Sequence, residues 1–183
     1  MGMYIDTFMA GIGGQGILLM GQLLARAAAS QGLQTTWLPV YGVEKRGGDA
    51  TCTVIISDEE IYSPVVAHPQ TMILMHSRMV PRFLPRLQEK GLLIVNSTLI
   101  SREEITRKDI DLVEVPAGEM AQEIGSERVA NLVLLGVFLK KTGVLPLEVV
   151  QEELKRSSSK GKEGQTEMNL KALEKGYGLG STF

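Results

Sequence analysis

The residues of this chain whose types and spacing could do chemistry fall in two short segments. The first, Gly11-Ile12-Gly13-Gly14-Gln15-Gly16, places four glycines in six positions. It follows a β-prone run at residues 5–10 and precedes a stretch at 17–30 that carries Leu18, Gly21, Leu24, Ala25 and Ala28 at helical spacing. A strand, a glycine turn and a helix in that order bring unobstructed backbone N–H groups to the positive end of the helix, which suits a phosphate or a carboxylate. The plainer alternative is a tight turn that lets helix pack closely on strand. The second segment, Tyr41-Gly42-Val43-Glu44-Lys45-Arg46-Gly47-Gly48, gathers an aromatic ring, a carboxylate, two cations and three glycines. Arg46 offers a fork for phosphate, Tyr41 a ring or hydroxyl, and Glu44 a carboxylate to orient Arg46 or meet a ligand N–H. A solvated charged loop is the competing reading. In a parallel sheet both segments emerge at the carboxyl edge, so together they outline one site.

Several chemistries are disfavoured. A dinucleotide dehydrogenase needs an acidic residue about 20 positions beyond the glycine loop, and residues 35–40 hold none. Nucleotide hydrolysis of the Walker type needs Gly-Lys followed by Ser or Thr, whereas Gly16 is followed by Ile17-Leu18. The single cysteine, Cys52, and two separated histidines, His68 and His76, give no ligand spacing for zinc or an iron–sulfur cluster. Cys52 reads as a buried inert thiol, and neither histidine is assigned a catalytic role. A net charge of −2 supplies no bulk attraction for nucleic acid. The longest apolar stretch, residues 132–139, is far short of a membrane span, and the Met-Gly start lacks the Ser or Thr of a myristoylation signal. The expectation is a cytoplasmic chain with neither membrane nor nucleic acid as partner.

The elements that must position the two segments follow from pattern. Gly32 is placed to stop the first helix with a left-handed cap, and a second strand at 35–38 ends at Pro39. Residues 51–56 read as a strand, with a turn at Asp58-Glu59-Glu60 into a short partner at Ile61-Tyr62. Residues 72–75 and 92–95 suit strands covered on both faces, joined by a crossover helix at 80–90 that Gly91 caps and that Pro81 and Pro85 weaken. A further strand at 111–115 precedes a strongly apolar, buried helix at 129–141, in which Asn131 satisfies backbone or a neighbouring loop. Pro146 opens a helix over 147–156, and a mobile connection near 157–164 leads to a last helix around 166–175. At 183 residues the default is one domain, 1–183. Its expected class is α/β: a three-layer, Rossmann-like sheet, mostly parallel with an antiparallel hairpin, helices on both faces.

The two segments, with Ser63-Pro64 and Gly91-Leu92-Leu93-Ile94-Val95-Asn96-Ser97, resemble the gamma subunit of 2-oxoacid:ferredoxin oxidoreductases over most of the chain. Tyr41 and Glu44 bring the resemblance closer to the 2-oxoglutarate and branched-chain 2-oxoacid enzymes than to the related indolepyruvate enzyme. The resemblance implies a complex that decarboxylates a 2-oxoacid, best guess 2-oxoglutarate, reduces ferredoxin and transfers the acyl group to coenzyme A. Thiamine diphosphate, magnesium and iron–sulfur clusters would sit on partner alpha, beta and ferredoxin-like delta subunits, and this chain alone would be inactive. Its own contribution would be interface walls and contacts of Gly11, Gly13, Gly14, Gln15, Gly16, Tyr41, Gly42, Glu44, Arg46, Gly47 and Gly48 to coenzyme A. A standalone nucleotide-binding protein and a pure scaffold remain as alternatives, and an uncovered docking surface could pair the isolated chain with itself.

Overall fold

A computed structural model of the chain describes residues 2–42, 47–158 and 163–183. Its frame is a six-stranded sheet made of β1 (Tyr4–Ile12), β2 (Gln34–Tyr41), β3 (Asp49–Ser57), β4 (Thr71–Leu74), β5 (Leu92–Asn96) and β6 (Asp111–Val115), in the order β2-β3-β1-β4-β5-β6. The pairs β1–β4, β4–β5 and β5–β6 are parallel, while β3 runs antiparallel to both neighbours, β2 and β1. The α/β class with a mostly parallel sheet and an antiparallel hairpin is therefore observed.

Alternation along the strands divides the core in two. Met9, Cys52, Val54, Ile73, Ile94 and Val113 face one side, where they pack with α1 (Ile17–Ser30), α3 (Ala117–Ile124), α4 (Ala130–Thr142), α5 (Leu147–Arg156) and α6 (Glu163–Leu179). Phe8, Ala10, Met72, Leu74, Leu93 and Val95 face the other. That second face carries a thinner layer, a 3-10 turn at Ser77–Met79, the four-residue α2 (Val80–Phe83) and a 3-10 turn at Leu84–Arg86. Burial of each large apolar side chain contributes roughly 1.5–3 kcal/mol. The helix α4 is apolar around its whole circumference and buried from Ala130 to Leu139, because sheet, α1, α3 and α6 surround it.

Several expectations need correction. The hairpin lies between β2 and β3, and Ile61-Tyr62 is not a strand: Tyr62 is 91% exposed, and no strand pairs with that segment. The second strand runs through Pro39 to Tyr41, which an edge strand tolerates since the missing N–H can face outward. Residues 80–90 do not form one helix; Pro81 and Pro85 break the segment into short turns. The left-handed residue at its end is Lys90, with φ 59°, not Gly91, where an added Cβ would lie 2.8–2.9 Å from the Leu87 side chain and the Gln88 carbonyl. The helix α3 was unforeseen, and α6 is longer than 166–175. Of the expected connection, Ser157 and Ser158 close α5 with hydroxyls that donate to the Leu154 carbonyl, 163–164 belong to α6, and 159–162 lie outside the described residues.

Two features set stability. The helices α4 and α6 meet at Gly136 and Gly176, where a Cβ on Gly176 would lie 1.9 Å from the Val133 carbonyl oxygen. Substitution Gly176→Ala is expected to cost roughly 2–4 kcal/mol, seen as a lower midpoint in urea unfolding with unchanged slope. Asp6 is a 4% exposed carboxylate near the start of β1, and it accepts from the Gln70 amide at 2.8 Å. Desolvation raises its pKa above the ordinary carboxylate value, a rise the Gln70 hydrogen bond only partly opposes. The folded state therefore holds this proton more tightly than the unfolded chain, and the contribution to stability is lost as pH rises through the folded pKa. Asp6→Asn should be more stable than the parent at pH 7, with the difference shrinking as thermal unfolding is repeated toward about pH 4.

Candidate functional site

The carboxyl ends of β1 and β2 meet the start of β3 at one edge of the sheet, with Gly11 and Tyr41 both in register with Ala50. The glycine loop is held there from three directions. The Gly13 amide donates to the Gly48 carbonyl at 2.8 Å, and Gln15 Oε1 accepts from the Ile12 amide at 2.8 Å. Gln15 Nε2 also reaches the Met75 carbonyl, at 3.4 Å, tying the loop to the end of β4. Behind the loop, Asn131 of α4 donates from Nδ2 to the Gly16 carbonyl at 3.1 Å. A Cβ on Gly16, whose φ is 73°, would lie 2.5 Å from that nitrogen, so only glycine accepts both the left-handed backbone and the amide against it.

The loop residues divide into supports and surface. Gly11 is buried within β1 beneath Gln15, and Gly48 is buried as the acceptor of the Gly13 bond. Gln15 serves as the brace just described. Gly13 and Gly14 are exposed, and a Cβ at Gly14 (φ 99°) would meet nothing within 4 Å. Gly16 opens α1, whose head has no side-chain cap and no acidic residue in its first turn. Such a helix start carries an effective charge of roughly +0.5 with its first N–H groups unsatisfied within the helix. In the second segment Tyr41 is 70% exposed, Gly42 donates to the Asp49 carbonyl at 2.8 Å, and Gly47 takes a left-handed φ of 70°. The candidate residues Glu44 and Arg46 lie outside the described residues.

Sequence reasoning missed the other side of the crevice. The chain leaves β1 toward α1 on one face and β4 toward the short turns on the other, so the gap between these neighbours is the reversal point of the parallel part of the sheet. A cavity of about 260 Å³ opens there, lined by Gly14, Gln15, Asn96, Thr98, Gln122 and Arg128 among others. Asn96 Oδ1 accepts from the Thr98 and Gly118 amides, both at 3.3 Å, and Thr98 Oγ1 accepts from Gly118 at 3.1 Å. The head of α3 is thus capped by side chains, whereas the head of α1 is not, and α1 is where an anion gains most. The signal available in the sequence was the polar run Asn96-Ser97-Thr98 directly after an apolar strand.

The chemistry of these groups suits holding a ligand rather than transferring a proton. Neither histidine nor cysteine lines the cavity, and Glu127, its one carboxylate among the described residues, is paired to Gln122 Nε2 at 2.6 Å. His76 Nδ1 accepts from the Arg78 amide at 3.2 Å and caps a turn, and His68 is exposed. Burial pushes the Cys52 thiol up to about 12, which leaves it without a usable thiolate. Among the described residues no cluster of His, Cys, Asp and Glu suits a metal, and no helix is long and apolar enough to cross a membrane.

Asn131 is 2% exposed and its Oδ1 has no partner, so its fixed element is the bond to Gly16. Asn131→Ala is expected to lower stability by about 1–3 kcal/mol and to speed amide hydrogen exchange in the glycine loop relative to the β4–β6 strands. Unaltered loop exchange would show that the bond does not hold the loop.

Comparison with known proteins adds the following. The family described as pyruvate ferredoxin/flavodoxin oxidoreductase matches residues 6–179. Ketoisovalerate oxidoreductase subunit VorA of Methanothermobacter thermautotrophicus is 39% identical over 171 residues; the match takes in 91% of this chain and 34% of that relative, so the chain spans about a third of its length. 2-Oxoglutarate synthase subunit KorC of Methanocaldococcus jannaschii is 34% identical, over 92% of this chain and 90% of the relative. The crystal structure of the gamma subunit of a keto/oxoacid ferredoxin oxidoreductase from Geobacter sulfurreducens superposes with a TM-score of 0.83 at 27% identity, covering 98% of this chain and 99% of that one.

Proposed function

Since the chain belongs to the pyruvate ferredoxin/flavodoxin oxidoreductase family, we propose that it is the gamma subunit of a complex that oxidatively decarboxylates 2-oxoglutarate to its acyl-CoA and reduces ferredoxin. In that assembly it supplies a subunit interface and contacts to coenzyme A, while thiamine diphosphate, magnesium and iron–sulfur clusters belong to alpha, beta and delta partners. The observation that carries the reading is the glycine loop: exposed glycines at the uncapped head of a long helix, held rigidly from behind by Gln15 and Asn131. Such a surface accepts phosphate oxygens without a side chain in the way. Coenzyme A supplies the thiol that takes the acyl group; this chain's residues bind and orient it. Similarity to KorC along nine-tenths of both chains supports 2-oxoglutarate as substrate. The higher identity to VorA favours a branched-chain 2-oxoacid as the second reading.

A purely architectural role for both loops is the other alternative, and it draws on Tyr41 and Val40, which are 70% and 55% exposed as docking residues often are. One experiment separates these readings. A Cβ on Gly13 would meet nothing closer than 3.6 Å, so Gly13→Ala fits the loop yet places a methyl group on its surface. In the assembled complex this variant is expected to raise the KM for coenzyme A roughly tenfold, about 1.4 kcal/mol of binding, with viologen-dye reduction assayed on 2-oxoglutarate and on ketoisovalerate. Loss of assembly with unchanged coenzyme A affinity would instead establish the architectural role.

A further inference from the structure

On the thinly covered face of the sheet, the second core cluster stops short of the β2 edge and leaves a groove of about 480 Å³. Phe8, Leu38, Val40, Thr51 and Thr53 of the strands line one side. The other carries Arg78, Arg82 and Arg86, whose four-residue spacing along the turn, α2 and turn sets three guanidiniums along one wall.

Each guanidinium is positioned. Arg86 donates to the Val66 carbonyl at 2.9 Å and lies over the Phe8 ring at 4.7 Å, and Arg82 lies over the Phe83 ring at 5.0 Å. Arg82 pairs with one oxygen of Asp49, and Arg78 pairs with the other at 3.4 Å while donating to the Gly47 carbonyl at 3.3 Å. Among the described residues, one carboxylate therefore serves two of these cations, and no carboxylate pairs with the third. Three guanidiniums against the single Asp49 carboxylate leave an excess of two positive charges among the described lining residues, in a chain of net charge −2. The volume matches a small-molecule site rather than the broad, flatter contact of a protein partner. Arg78 and Arg82 side chains are 54% and 63% exposed, so their outer N–H groups are within reach of a ligand. Guanidinium forks match phosphate geometry, and the apolar strand residues beside them would cover the organic part.

We propose that this groove binds a phosphorylated organic anion of nucleotide size, with the phosphoryl group on Arg78 and Arg82 and the organic part along Phe8, Leu38 and Val40. The site is separate from the glycine loop, which opens toward α1, but the two are joined through β3: the Gly48 carbonyl holds Gly13, and the Asp49 carbonyl holds Gly42. The anion could be a free nucleotide or the nucleotide end of coenzyme A, and only the latter source rests on the proposed function.

The test is calorimetry on the full chain at low salt, with inorganic pyrophosphate, ADP and adenosine 3′,5′-bisphosphate as probes. The expected result is saturable binding of an organic phosphate, tighter than pyrophosphate, that weakens roughly tenfold or more in Arg82→Ala and in Arg78→Ala. Arg102→Ala, on a guanidinium that pairs with Glu114 at the far edge, should leave it unchanged. Preference for the 3′,5′-bisphosphate identifies coenzyme A as the source, and preference for ADP a free nucleotide. Absence of saturable binding at millimolar probe, or equal weakening by Arg102→Ala, would overturn the proposal while leaving turnover of the assembled complex to judge the function above.

Discussion

The hydrogen bond from the Gly13 amide to the Gly48 carbonyl joins two loops that are 35 positions apart, and the candidate site depends on it. It exists because β3 is inserted antiparallel between β1 and β2, so the start of one strand lies beside the ends of two others. Glycine eases the neighbouring contact, since a Cβ on Gly42 would sit 3.2 Å from the Asp49 backbone nitrogen and oxygen.

Most of this arrangement was legible from pattern. Apolar spacing from Ile17 to Ser30 gave the first helix its ends, since Gly16 and Gly32 bracket it, and the β-branched run in β3 marked a strand buried on both faces. What escaped notice was governed by contacts between elements. Whether Ile61-Tyr62 or residues 35–41 would pair with β3 depends on loop geometry and on Trp37 packing against α1, neither of which has a local signature. Asn96, Thr98 and Arg128 join the crevice only because β5 and the start of α4 converge there, although a polar run after an apolar strand could have raised suspicion. The α3 helix escaped because Pro116 and Gly118 disguise its first turn, which Asn96 and Thr98 at the far end of β5 complete.

The polar side chains that brace the glycine loop share one logic. Asn131 and Gln15 are amides rather than charges, and an amide can donate to a carbonyl from a buried position without the desolvation cost of an ion. Apart from the buried carboxylates Asp6 and Glu153, charge pairs lie where water reaches, as with Arg78, Arg82 and Asp49 at the groove and Lys175 and Glu123 between α6 and α3. The molecule thus separates support from electrostatic attraction, with neutral hydrogen bonds behind the glycine loop and solvent-exposed cations in front of the sheet.

The two borders of the sheet limit how this chain can associate. On one side β2 contains Pro39, which removes a backbone donor from the outer edge; on the other β6 carries Asp111 and Glu114, engaged by Lys141 and Arg102. A neighbouring polypeptide that tried to extend the sheet would lack a complete ladder at the first border and meet solvated charge at the second. Association through continuous backbone pairing, the route by which unprotected strands polymerise, is disfavoured at both borders. Side-chain surfaces, unlike a strand edge, can encode a specific companion and stop at one.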